Sequence, residues 1–313
     1  MKLRFTGHDT FPLRHGWLFK ATNIIKNNGL LSVSDNTHAA RTIELLGVGK
    51  NMVNAIKYWA EVTKIIETQV VNRSSVQEVT PLGNYIFDPE TGNDPYLEDI
   101  GTLWLIHFLL CFDDDQLTAY RYFFNYSNRV YFEKSKLVDD LLVDLVRLTS
   151  SPSVTSSTVK KDIDCFLSTY AEKNRTTSKH KAVDEDYFAS PLTELSLVKD
   201  LGRGFYQSDL DERPSLPLCI FTFALVEYFK FANAESQAQQ VSFEDVLSKP
   251  LSPGRIFKLT ESELGRLIDE AVSWSNGKII WIDSLGLKQI TIDERLLAKP
   301  IDLLDEYYRG RKS

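Results

Sequence analysis

Residues 47–66 read GVGKNMVNAIKYWAEVTKII, and their spacing decides the fold class. Met52, Ala55, Ile56, Trp59, Val62 and Ile66 recur every three or four positions, the spacing of one face of a helix running from about 50 to 66. The opposite face carries Asn51, Asn54, Lys57, Glu61 and Lys64. Upstream, Asp35, Asn36 and Thr37 can cap a helix whose apolar positions are Ala39, Ala40, Ile43, Leu45 and Leu46. Gly47 and Gly49 break it and allow a tight turn. Downstream, 67–72 and 76–80 alternate like strands around a polar turn at Arg73, Ser74 and Ser75. A helix then restarts, with Thr80 as cap and Pro81 in its first turn. Helix, turn, helix, hairpin is the order of a winged helix, with Arg73 at the tip of the wing.

The same grammar continues. Residues 88–95 are a loop rich in Pro, Gly, Asn and Asp; 97–112 is an apolar helix; and the carboxylates at 113–115 are placed to cap a helix at 116–126. Amphipathic helices follow at 137–148 and from 159 to 170, with a charged loop or wing at 172–186. The last third offers a core helix at 216–231, a short helix at 243–247, a helix at 260–272 opened by Thr260 with Glu263 three residues on, and a hairpin within 278–292. The expected fold is mainly α with small β-hairpins, built as tandem winged-helix-like units. The expected domains are an N-terminal winged-helix DNA-binding domain at 1–90, a helical domain at 91–200 and a winged-helix-like domain at 201–313.

Composition narrows the function classes. The chain has 313 residues, 43% hydrophobic and 25% charged, which excludes fibrous and largely disordered proteins. Its net charge of −7 argues against wholesale coating of nucleic acid. Yet residues 1–80 hold ten Lys and Arg against six Asp and Glu, a local excess of +4, so a DNA contact would lie at the front. Cys111, Cys165 and Cys219 are widely spaced in apolar runs, with no metal-binding spacing, and read as buried thiols in a reducing compartment. The start of the chain has no signal-peptide core, and the two most apolar stretches are too short or too charged to span a membrane. A cytoplasmic protein with no membrane partner is expected.

Residues 47–51 invite comparison with a phosphate loop. The motif fails, because Glu44 stands where its first glycine belongs and Asn51 where Ser or Thr must follow the lysine. In a helix-turn-helix, Lys50 and Asn51 instead sit at the positively polarised start of the second helix, and Asn54 and Lys57 continue along one face. Asn pairs with adenine and Lys reaches guanine or phosphate, so Lys50, Asn51, Asn54, Lys57 and Arg73 are the candidate DNA contacts. The alternative is an ordinary solvated face.

The segment FTGHDTFPLRHGWL, residues 5–18, is the other dense cluster. His8 beside Asp9 has the makings of a base with an orienting carboxylate, and Arg14 can clamp a phosphate. Read alone, the segment fits a structural turn better, with Phe11, Leu13 and Trp17 packing inward. Metal-dependent nucleases show carboxylate clusters, and the densest here, at 113–115, is better placed to cap a helix.

The motifs FTGHDTFPLRHGWLFKA, LGVGKNMVNAIKYWAEVTKII and TPLGNYIF, with SPGRIFKLTESEL further on, resemble the bacterial family called domain of unknown function 4007. The resemblance implies a phage-defence role in DNA phosphorothioation, the replacement of a non-bridging phosphate oxygen by sulfur. It implies the DNA-nicking subunit of such a system, acting on double-stranded DNA beside a cysteine desulfurase, an ATPase and a reductase-like protein. No catalytic residues carry over from it. A nickase would place its chemistry near His8, Asp9 and Arg14, and Mg²⁺ or Mn²⁺ is the cation such chemistry uses. The rival expectations are a non-catalytic DNA-binding adaptor and a winged-helix transcriptional regulator.

Overall fold

The structure, a computed structural model, describes residues 1–32, 36–71, 74–149, 154–172, 189–234, 239–284 and 287–311. The chain divides into two compact units. The first comprises 1–110, 114–122 and 129–208; the second comprises 111–113, 123–128 and 209–313. Helices dominate and the sheets are small, as the periodicity indicates.

The first unit opens with β1 (Lys2–Leu3) and α1 (Trp17–Asn28). Helices α2 (Asn36–Leu46) and α3 (Lys50–Val62) follow, then a hairpin of β2 (Ile66–Val71) and β3 (Ser74–Val79), then α4 (Pro81–Phe87). The turn between α2 and α3 places Gly47 at φ 64°, in the left-handed region. Helix α3 ends at Val62, one turn before the expected end at 66, because Lys64 turns left-handed at φ 58° and Ile66 pairs with Val79 as the first residue of β2. Thr80 caps α4 as expected, its Oγ1 accepting the Gly83 N–H at 2.9 Å. The cap proposed at Asp35 lies outside the described residues.

Helix α5 (Ile100–Cys111) is buried on every side from Thr102 to Cys111, which is why its apolar run has no polar face. The carboxylates at 113–115 do not cap the next helix. Gln116–Leu117 form β4, pairing in parallel with β1, and α6 (Ala119–Asn125) starts only after it. Thr118 Oγ1 accepts the Arg121 N–H at 3.3 Å, so it serves as the cap. Then come β5 (Tyr131–Glu133), α7 (Lys134–Leu148), α8 (Ser156–Tyr170) and the strands β6 (Ala171–Glu172), β7 (Val198–Gly202) and β8 (Phe205–Gln207). They form a sheet in the order β5-β8-β7-β6 that no periodicity announces, since its strands are two to five residues long. The loop or wing expected at 172–186 falls almost wholly outside the described residues.

Trp59 of α3 ties this unit together. It is fully buried, donates its Nε1–H to Phe11 O at 3.0 Å and meets Tyr120 of α6 edge to face at 5.3 Å. Truncating such a side chain to alanine costs about 3–5 kcal/mol.

In the second unit, α9 (Leu218–Ala232) is the apolar core helix. Strand β9 (Val241–Ser242) leads into α10 (Phe243–Ser248), the single turn α11 (Pro253–Ile256) and α12 (Glu261–Trp274). Thr260 Oγ1 accepts the Glu263 N–H at 3.1 Å, but the Glu263 carboxylate turns to Arg266 instead of closing a capping box. The hairpin β10 (Ile279–Ser284) and β11 (Leu287–Ile292) pairs with β9, and α13 (Glu294–Ala298) and α14 (Ile301–Arg309) close the chain.

A candidate DNA-facing cleft beside α3

The segment at 5–18 is a knot of tight turns. Thr6, Asp9 and Thr10 all adopt left-handed backbone, at φ 67°, 47° and 67°. A non-glycine residue pays for that conformation and keeps it only where surrounding contacts over-determine it. They do so here. Asp9 N–H donates to Thr6 O at 3.0 Å and Phe11 N–H to His8 O at 2.9 Å. Gly7 lies so close to the Tyr58 ring that any Cβ would stand 2.5 Å from its Cδ2.

His8 points inward and is sealed from solvent. Its Nδ1 accepts the Thr10 N–H at 3.0 Å, and its Nε2 lies 2.6 Å from Asp162 Oδ1. Burial lowers the proton affinity of the ring, while Asp162 and Cys165 raise it. The Thr10 N–H occupies the Nδ1 lone pair, so Nδ1 carries no proton. The geometry therefore holds the neutral tautomer with its proton on Nε2, donated to Asp162. Asp162 also accepts Thr6 N–H on Oδ1 at 3.1 Å and Ala119 N–H on Oδ2 at 3.1 Å. One buried carboxylate so gathers the N-terminal turn, the start of α6 and α8.

Asp9 points the other way. Its Oδ2 accepts Asn54 Nδ2–H at 3.1 Å on the rim of a cleft of about 280 Å³. Arg4, Gly7, Lys57, Tyr58 and Glu61 complete the lining. Arg4 pairs with Glu61, donates to Gln116 Oε1 at 3.0 Å and lies over the Tyr58 ring at 5.3 Å. Glu61 also accepts Thr68 Oγ1–H at 2.6 Å and has Lys57 Nζ at 3.8 Å. The Tyr58 hydroxyl is buried without a hydrogen-bond partner among the described residues, and burial pushes its pKa well up.

The candidates from the sequence thus part company. Asp9, Asn54 and Lys57 meet at the cleft, and Lys50 and Asn51 stand exposed one to two turns away at the start of α3. His8 lies behind the wall. Arg14 stacks on Phe11 and Trp17, at 5.6 and 5.5 Å, and is not among the lining residues. Arg73 lies outside the described residues. Sequence reasoning passed over Arg4, Tyr58 and Asp162, and it placed Glu61 on the polar helix face without making it a site residue. Asp162 did leave a signal: it sits three residues after Val159 and four before Phe166, a carboxylate on an apolar helix face.

The donor set does not suit a divalent cation. Asp9 is engaged by Asn54, Glu61 by Arg4, Lys57 and Thr68, and the described residues contain no group of three or more His, Cys, Asp or Glu able to hold a metal. No helix among the described residues is long and apolar enough to cross a membrane.

Fold and cleft together define a mainly helical protein that carries amide and basic groups on one helix face. The chain belongs to the DUF4007 family, described as proteins of unknown function, which it matches over residues 5–308. No curated protein matches it. Among solved structures it is similar to one described as "SspB crystal structure", at 26% identity and a TM-score of 0.85, and to "Magnesium ion-bound SspB crystal structure", at 24% identity and a TM-score of 0.83. Each likeness covers 100% of this chain and 90% of the other.

Proposed function

We propose that this protein binds double-stranded DNA with the outer face of α3 and the adjoining cleft, and that it serves a DNA phosphorothioation system by nicking one strand for sulfur incorporation. The observation that carries the reading is the convergence of Asp9, Asn54, Lys57 and Arg4 on one cleft beside exposed Lys50 and Asn51. Of these, Asn51, Asn54, Lys50 and Lys57 offer amide and ammonium donors of the kind that reach phosphate and base edges. The hairpin β2–β3 is read as the wing beside that helix, and residues 1–90 as the DNA-binding part. Family membership and the likeness to SspB support the assignment to that system.

Lys50, Asn51, Asn54 and Lys57 hold and orient the duplex. Asp9 is the carboxylate nearest the bound backbone, and the sealed His8–Asp162 pair keeps the turn that presents it in shape. The magnesium belongs to the related structure; the carboxylates of this cleft are already partnered, so no step is routed through a metal here. A second reading, a non-catalytic adaptor that positions the sulfur-transfer enzymes, is favoured by the burial of His8, which cannot touch a phosphodiester. Relaxation of supercoiled plasmid by the purified protein, with and without Mg²⁺ or Mn²⁺, decides between them. Open-circular product that Asp9→Asn abolishes supports the nickase, and its absence under all conditions leaves the adaptor.

A further inference from the structure

The second unit buries positive charge without an anion to match. Arg213 and Lys258 are 7% and 8% exposed, and Arg255 is half-buried. Buried lysines and arginines are ordinarily paired with a carboxylate. Here, among the described residues, none of the three has a carboxylate oxygen within ion-pair distance; Asp209 and Asp211 act on Arg213, and Asp209 on Lys258, only from further away.

The two guanidiniums are fixed by neutral acceptors. Arg255 donates to Asn125 O at 2.8 Å, Asn128 Oδ1 at 2.7 Å and Ser127 O at 3.0 Å. Arg213 donates to Phe257 O at 3.1 Å and Asp209 O at 2.9 Å. These bonds hold the arginines in place but cancel none of their charge. Lys258 has a left-handed backbone at φ 53°, with its N–H on Arg255 O at 3.2 Å and its own O accepting from Arg213 at 3.4 Å. Its ammonium lies 5.3 Å over the Phe123 ring and has no hydrogen-bond partner among the described residues. An ammonium carries three donors, and those of Lys258, whose nitrogen is not sealed from solvent, are left to water or to an entering ligand.

We propose that Arg213, Arg255 and Lys258 form a binding site for a phosphate group, with the Lys258 ammonium as its direct ligand and the two fixed guanidiniums supplying the surrounding positive field. A preorganised cationic site of this kind costs stability while empty and recovers it when an anion enters. Burial first, then Arg255 and Arg213, depress the ammonium pKa to about 8, which agrees with a cation awaiting its partner. The phosphate can belong to a DNA backbone or to a small phosphate compound.

The test is thermal unfolding of the full chain in inorganic phosphate against chloride of equal ionic strength, with calorimetric titration of phosphate. The wild type should gain about 5 °C at saturation, and Lys258→Met, which keeps the aliphatic stem over Phe123, should gain nothing. A wild type indifferent to phosphate overturns the proposal, whether or not the variant folds. An equal gain in a folded Lys258→Met also overturns it. Salt-dependent binding of a 20-base-pair duplex then identifies the source. A slope about one unit shallower in Lys258→Met points to backbone phosphate, and an unchanged slope points to the small compound. Neither result depends on the α3 face, which the Lys50 and Lys57 variants probe separately.

Discussion

His8 Nε2 lies 2.6 Å from Asp162 Oδ1, joining residues 154 positions apart in the chain. The neighbouring Asp9 faces outward to Asn54. The stretch that looks most reactive in the sequence therefore splits into a buried anchor and a surface group, and the strained turn between them sets where the surface group stands.

Removing the anchor should unfold the turn before anything else. Asp162→Ala leaves the His8 Nε2–H and the Thr6 and Ala119 amides without an acceptor. Each buried donor left without its acceptor costs about 1–3 kcal/mol. Urea denaturation should show it, and hydrogen exchange should show Thr6 and Ala119 opening together. Unchanged stability would mean that the carboxylate is dispensable to the fold.

Tyr58→Phe should be neutral or stabilising, because its hydroxyl is buried without a partner among the described residues. An unsatisfied buried hydroxyl costs about 1–3 kcal/mol. A fall in stability on this substitution would reveal a partner for the oxygen. Gly7→Ala runs the other way. Its methyl group would meet the Tyr58 ring at 2.5 Å, and overpacking of that kind costs about 1–3 kcal/mol.

On the DNA face, Lys50→Ala should flatten the slope of log affinity against log salt by about 0.9 units, the value for one phosphate contact. Lys57→Ala should do less, since Glu61 lies 3.8 Å from its ammonium and already shares its charge. Fluorescence anisotropy over a salt series measures both, and equal effects would mean that Lys57 leaves Glu61 when DNA binds.

Lys258 sets a pH dependence with a definite sign. Its folded pKa, about 8, lies below its ordinary value of 10.5. Below about pH 8 both states are protonated and the folded state carries the full burden of the ammonium, with Arg255 and Arg213 facing it and Asp209 only partly compensating. Between there and about 10.5 the folded state loses its proton first, and stability rises with pH relative to Lys258→Met. The whole difference is up to about 3 kcal/mol. Denaturation of both proteins from pH 7 to 10, without phosphate, should show the gap closing. A constant gap would place the titration elsewhere.

Much of the architecture was legible locally. The periodicity of α3, α7, α8 and α12, the caps at Thr80 and Thr260, and the hairpins at β2–β3 and β10–β11 all follow from short-range preferences that hold before the chain is folded. The cleft was half legible: Asp9, Asn54 and Lys57 stood out by type and spacing, while Arg4 and Tyr58 did not.

The amino-acid order alone determined a mainly helical chain with its basic excess at the front and a helix, turn, helix, hairpin run at 36–79. Only the tertiary structure decided that His8 is buried against Asp162, that β1 pairs with β4, that Gln116–Leu117 is strand and not helix, and that Lys258 lies within the electrostatic reach of Arg213 and Arg255. Helical periodicity is a property of neighbours three and four apart. Burial, pairing between two-residue strands and uncompensated charge depend on which distant segments come together, and no local pattern encodes that.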